Sequence, residues 1–98
     1  MKCTLSPAAE SQLQAIMSEQ EDKNLKFRVF VDHAHGDHAH YGLGLDYQKD
    51  SDELVVTEAG TEVLLEKGQQ FLDGIEVDYD PQSDDWSVHH AAFGHHHE

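Results

Sequence analysis

The sequence predicts an α+β domain dominated by strands. One stretch near the N-terminus repeats its apolar residues at helical spacing, several later stretches alternate apolar with polar residues, and glycine, proline or aspartate marks the joints between them. A length of 98 residues suits a single domain with one core and leaves little room for a deep, layered active site.

Lys2, Cys3, Thr4 and Leu5 read as a first strand. Ser6-Pro7 is a helix start, with a capping hydroxyl followed by proline at the first helical position, where its missing N–H costs nothing. Ala9, Leu13, Ile16 and Met17 then recur at helical spacing, so an amphipathic helix runs to about residue 21, ended by Asp22 to Asn24. Phe27-Arg28-Val29-Phe30-Val31 is rich in β-branched and aromatic residues and reads as a strand leading to His33-Ala34-His35-Gly36-Asp37-His38-Ala39-His40. Beyond this cluster Tyr41, Leu43, Leu45 and Tyr47 alternate with Gly42, Gly44 and Asp46, a half-buried strand. By that parity His38 and His40 share the face of Gly42 and Gly44, opposite Tyr41, and the two glycines leave room for a backbone or a ligand. Glu53 to Thr57 and Thr61 to Leu65 form two short strands about the Ala59-Gly60 turn. Lys67 to Leu72 forms a short helix stopped by Asp73-Gly74. Ile75, Val77 and Tyr79 alternate with acids in a further strand, Pro81 to Asp84 turns it, and Trp86, Val88 and His90 face one side of a last strand with Ser87 and His89 on the other. Tyr41, Tyr47, Phe71, Tyr79 and Trp86 are expected to pack in the core or at its edge.

Composition narrows the function. Six Lys plus Arg against twenty Asp plus Glu give a net charge of -14, which repels phosphate backbones and anionic lipid and argues against nucleic acid or membrane partners. No apolar run is long enough to span a bilayer and the first residues lack a secretory pattern, so a cytoplasmic location is expected. The one cysteine, Cys3, allows no intrachain disulfide and reads as a buried, inert thiol. No serine or cysteine nucleophile stands in a recognisable motif and no glycine-rich loop opens a helix, so no enzyme is expected.

Histidine is the feature left over. Nine of the residues are histidine, four of them within His33 to His40 and five within His89 to His97. Imidazole is the commonest side-chain metal ligand and titrates near neutrality. His-x-His spacing on a strand sets two rings about 7 Å apart on one face, within reach of one ion. The candidate metal ligands are therefore His33, His35, His38, His40, His89 and His90, with Asp37 as an oxygen donor. Against this stand loop histidines that are only solvated or hydrogen-bonded, and for His90 a packed core position on the Trp86 face. His95, His96 and His97 also fit a cloning remnant or a flexible chelating tract, and they rank below the internal group as ligands.

The order of elements resembles the HesB-like, A-type iron–sulfur carrier (IscA-like) family. The likeness rests on Phe27 to Val31, on Tyr41-Gly42-Leu43-Gly44-Leu45-Asp46, and above all on Leu72-Asp73-Gly74-Ile75-Glu76-Val77-Asp78-Tyr79, which is similar to the family's Leu-Asp-Gly-hydrophobic-x-hydrophobic-Asp-Tyr/Phe signature. It implies a compact, mainly antiparallel, sandwich-like domain over residues 1–92, often self-associating, followed by a histidine-rich tail over residues 93–98. Where the family has its Gly-Cys-Ser-Gly loop this sequence reads His35-Gly36-Asp37-His38, and where it has its Cys-Gly-Cys tail this sequence reads Phe93-Gly94-His95-His96-His97. Neither keeps a cysteine, so no stable iron–sulfur cluster is expected. The histidines fit a divalent transition metal instead, whether zinc, nickel, copper or iron. Three functions follow: a noncatalytic metal-binding domain, an accessory in iron–sulfur assembly that donates iron or docks on assembly proteins, or a metal-free interaction module whose histidines respond to pH.

Overall fold

A computed structural model describes residues 1–36 and 38–90, with residue 38 as backbone. Seven strands and one helix occur in the order β1 (Cys3–Leu5), α1 (Pro7–Ser18), β2 (Lys26–His35), β3 (His38–Asp46), β4 (Asp52–Val56), β5 (Glu62–Glu66), β6 (Ile75–Asp80) and β7 (Asp85–His90), with a 3-10 turn at Gln70–Leu72 before β6. They form a three-stranded sheet, β1-β6-β7, and a four-stranded sheet, β3-β2-β5-β4. Three of the five strand pairings are antiparallel, and β1–β6 and β2–β5 are parallel. The α+β, mainly antiparallel expectation holds.

Alternation explains which residues the sheets bury. Cys3 and Leu5 of β1, Ile75, Val77 and Tyr79 of β6, Phe27 and Val29 of β2, Val55 of β4 and Val63 and Leu65 of β5 meet in one core with Ala9 and Leu13 of α1. The intervening Glu76, Asp78 and Asp80 are exposed, as the period of two requires.

Several bounds differ from the sequence reading, each for a local reason. Helix α1 begins as expected, with the Ser6 hydroxyl accepting from the Ala9 N–H at 3.1 Å, but it ends at Ser18 rather than near residue 21. Past Met17 there is no apolar side chain to bury until Leu25. Gln20 Nε2 and Lys23 Nζ turn back to donate to the carbonyls of Ile16 and Met17, satisfying the frayed end. The short helix over Lys67 to Leu72 is only the 3-10 turn, because Gly68 takes φ +77 and the Gln69 side chain accepts from the Phe71 N–H. Strand β3 stops at Asp46, leaving Tyr47 50% exposed instead of packed, its hydroxyl donating to Asp22 at 2.6 Å.

Arg28 joins three strands of the larger sheet. Its guanidinium donates to both Asp52 carboxylate oxygens and to the Tyr47 carbonyl, and Nε lies 3.3 Å from Asp46. Asp52 is buried on β4, and its carboxyl is held below the usual range by Arg28. The pair ties the loop between β3 and β4 to the face of β2.

Candidate metal centre

The first histidine cluster is a β-hairpin rather than a loop. Strand β2 continues through His33 and His35, β3 begins at His38, and Gly36 turns with φ +64, a left-handed conformation that favours glycine. In the body of the hairpin Phe27 faces Leu45, Val29 faces Leu43 and Val31 faces Tyr41; nearer the tip His33 faces His40, Ala34 faces Ala39 and His35 faces His38.

Between these two registers β2 carries one extra residue, Asp32. Continued without it, the ladder would set His35 opposite Asp37 and leave Gly36 alone to make the turn, which is too short for two antiparallel strands. The β-bulge supplies the missing residue. It also decides the face: alternation from Phe27, Val29 and Val31 would send His33 and His35 to the core side, whereas the bulge puts His33 on the side of its partner His40, away from Tyr41. The His33 and His40 rings stand with centroids 6.1 Å apart and planes inclined by 35°, and both are exposed. Two imidazoles on one ion, each with a nitrogen about 2.0–2.1 Å from it, have centroids roughly 4.5–6 Å apart. The observed separation lies just beyond the upper end of that range.

Other neighbours complete the face. The Phe30 ring lies over Gly42, where an added Cβ would come 2.2 Å from its Cζ, so Phe30 fills the room that the glycine leaves. Gly44 has nothing within 4 Å of an added Cβ. Tyr41 belongs to the opposite side, its hydroxyl donating to the Phe71 carbonyl at 2.7 Å, and burial pushes its pKa up.

The second histidine group lies in the other sheet. His89 faces outward, 2.7 Å from a Glu76 oxygen on the neighbouring strand. His90 faces inward, 8% exposed, and its Nε2 donates to the Asp73 carbonyl. Gly74, with φ +91, approaches that ring closely: an added Cβ would stand 3.5 Å from His90 Nε2. The Gly74 N–H donates to the Lys2 carbonyl at 2.7 Å, and the Lys2 N–H to Asp73 at 3.0 Å. The Leu72-Asp73-Gly74 segment thus fastens the starts of β1 and β6 to the end of β7. Among the six candidate ligands, the structure pairs His33 with His40 and sets backbone position 38 opposite His35, while His89 and His90 face opposite sides of β7. Among the described residues no three His, Cys, Asp or Glu side chains converge as a ligand set. Asp37, His95, His96 and His97 lie outside the described residues.

Sequence reasoning missed Asp32 and the Arg28–Asp52 pair. The first was open to counting, since Val31 facing Tyr41 leaves a single residue for the turn unless one strand holds an extra residue. The second had no signal, because Arg28 and Asp52 are adjacent only after the sheet forms.

No family model matches the chain. Curated relatives do. It is 33% identical over 73 residues to the iron–sulfur cluster insertion protein ErpA 2 of Methylococcus capsulatus, covering 74% of this chain and 56% of that protein. It is 29% identical over 77 residues to the iron–sulfur cluster insertion proteins ErpA of Haemophilus influenzae and of Actinobacillus succinogenes, covering 78% of this chain and 68% of each. The chain therefore spans little more than half to two thirds of the length of these relatives. The fold and these likenesses define the class, a small two-sheet domain related to cluster insertion proteins. The chain is thus similar to iron–sulfur cluster insertion proteins, and it carries a single cysteine, Cys3.

The donor set does not fit an iron–sulfur cluster. Cys3 is 5% exposed on β1, and its thiol is pushed up to about 12 by burial, with the Glu10 charge adding to the effect. A thiol held neutral in the core is neither nucleophile nor ligand at physiological pH. No other cysteine exists in the chain to bridge or terminate iron.

Proposed function

We infer that this protein is a noncatalytic, cytoplasmic metal-binding domain that holds a divalent transition metal through the histidines of the β2–β3 hairpin, His33, His35, His38 and His40. The observation that supports the reading is the exposed cross-strand His33–His40 pair, with ring centroids 6.1 Å apart, in the segment where the resemblance puts the family's cysteine loop. Imidazole nitrogen suits zinc, copper, nickel and iron(II), and the chain's net charge of -14 favours the approach of cations. His89, beside Glu76, is a secondary candidate. His90 is buried, with its Nε2 donating to the Asp73 carbonyl.

A second reading is favoured by the names of the relatives. The relatives are named for iron–sulfur cluster insertion, and in this reading the chain serves iron–sulfur assembly as an iron donor or docking partner rather than as a cluster holder. Both readings share the hairpin site and differ in the metal it receives.

Calorimetric titration of zinc, nickel, copper(II) and anaerobic iron(II) into the chain truncated after Ala92 tests the site free of the tail histidines. The expected result is about one ion per chain or per dimer, lost in His38→Ala/His40→Ala. Unchanged affinity in that variant would remove the hairpin as the site, and iron(II) as the only metal bound would favour the second reading.

A further inference from the structure

A cavity of about 290 Å³ opens where the second half of α1, the connection from α1 to β2 and the turn between β4 and β5 meet. Its apolar wall is formed by Leu13, Met17, Leu25 and Ala59. Leu13 belongs to the core and Met17 packs against it, so this wall is a margin of the core itself. At Gly60, in the turn, an added Cβ would meet nothing within 4 Å, which leaves room for an incoming molecule. The volume is close to the lower end of the range of about 300–1,000 Å³ for ligand pockets, so it suits a small molecule.

The charge of the lining runs against that of the chain. Two of the six basic residues, Lys23 and Lys26, line the cavity, against one of the twenty acids, Glu62. Lys26 Nζ donates to Glu62 at 2.6 Å. Lys23 Nζ reaches only the carbonyls of Met17 and Ser18, at 3.4 and 3.5 Å, and is in no ion pair among the described residues. An ammonium has three donors, so each lysine keeps at least one for a further acceptor. The Thr61 hydroxyl is already given to Glu10, which leaves the lysines as the charged donors of the site. With Glu62 balancing Lys26, the positive charge of Lys23 remains. Exposed acids more than about 8 Å away are screened at physiological salt, so this local excess governs what enters.

We propose that this cavity binds a small monoanion with an apolar body, a short-chain carboxylic acid, its carboxylate accepting from Lys23 and Lys26 and its hydrocarbon lying against Leu13, Met17, Leu25 and Ala59. One ammonium without a counter-ion matches one negative charge. A dianionic phosphate would bring a second charge to face the Glu62 carboxylate, a cation would be repelled by Lys23, and a neutral molecule of the same shape would forgo the ion pair. The site shares no residue with the histidine hairpin and does not depend on the metal that the hairpin holds.

The test follows the backbone amide resonances of the isotope-labelled full chain during titration with hexanoate, hexanamide, hexylamine and hexyl phosphate. Ionic strength is fixed and the pH is ~8, where the phosphate is a dianion. Hexanoate should move the Ala59, Gly60 and Thr61 resonances saturably and bind about tenfold more tightly than hexanamide, the worth of a hydrogen bond to a charged group. It should also bind more tightly than hexyl phosphate, and hexylamine should leave these resonances in place. Lys23→Gln should weaken hexanoate several-fold and leave hexanamide unchanged. Ala59→Phe, which fills the cavity from an exposed turn position, should abolish binding of both without lowering the melting temperature. Equal affinity for hexanoate and hexanamide would overturn the proposal, as would tighter binding of hexyl phosphate. So would hexanoate shifts that spare the turn, or a hexanoate affinity that survives either substitution.

Discussion

Replacing Arg28 by methionine isolates the buried ion pair of the larger sheet. Methionine keeps much of the aliphatic stem and removes the guanidinium that neutralises Asp52, whose side chain is 1% exposed against 14% for Arg28. Stripping one partner from a fully buried pair costs about 3–5 kcal/mol, because the remaining charge is stranded. The rim exposure of Arg28 and the Lys49 N–H that still donates to Asp52 at 2.8 Å reduce this to about 2–3 kcal/mol. For a domain of this size that is roughly 10–20 °C in Tm. The pH dependence carries the mechanism. In the parent protein Asp52 titrates below its unfolded value, so the pair's contribution is present above the unfolded pKa and lost as pH falls through the folded one. In Arg28→Met the buried carboxyl loses its partner and titrates above the unfolded value. Its penalty is then greatest near neutrality and is relieved as pH falls through that raised pKa, so the two proteins should converge towards pH ~3. Urea unfolding of both from pH 7 to 3 measures the gap. A gap under about 1 kcal/mol at pH 7, or one that does not shrink with acid, would refute the argument, while Arg28→Met/Asp52→Leu should recover most of the loss.

Three further outcomes follow from the same structure. Anaerobic incubation with iron and sulfide should leave no visible charge-transfer absorption after desalting, and Cys3 should react with a thiol reagent only on unfolding; a stable chromophore lost in Cys3→Ser would contradict both. Gly74→Ala should cost about 1–2 kcal/mol in chemical denaturation, from the left-handed φ of +91, and a neutral effect would show that the segment relaxes freely. Zinc should raise the melting temperature at pH 7.5 and lose most of that effect by pH 5.5, since a bound ion depresses the folded pKa of its imidazoles and its stabilisation disappears as pH falls through that value. Equal shifts at both pH values would exclude histidine ligands.

Local pattern carried most of the fold. The alternation of Ile75, Val77 and Tyr79 and of Trp86, Val88 and His90 placed β6 and β7 with their buried faces, and Ser6-Pro7 placed the start of α1. What local pattern does not encode is register. Strand β2 runs four residues past Val31 because pairing with β3 overrides the low strand propensity of His33-Ala34-His35. The face of those histidines depends on Asp32, whose bulge exists only in the pairing. His90 showed the same limit: its parity put it on the core side, but the Asp73 carbonyl that receives its Nε2 proton is seventeen residues away in sequence. Tyr47 misled because the alternation of Tyr41, Leu43 and Leu45 continues through it after the ladder has ended at Asp46.

The central claim is that the hairpin histidines hold a metal ion, and elemental analysis tests it most directly. The chain truncated after Ala92, purified without any immobilised metal and dialysed against buffer at pH 7.5, should retain close to one equivalent of a single transition metal per chain or per dimer. That metal should be absent from His33→Ala/His40→Ala prepared in parallel. Metal-free protein that takes up none when zinc, nickel, copper(II) or iron(II) is returned, or an equal content in the variant, would contradict the account.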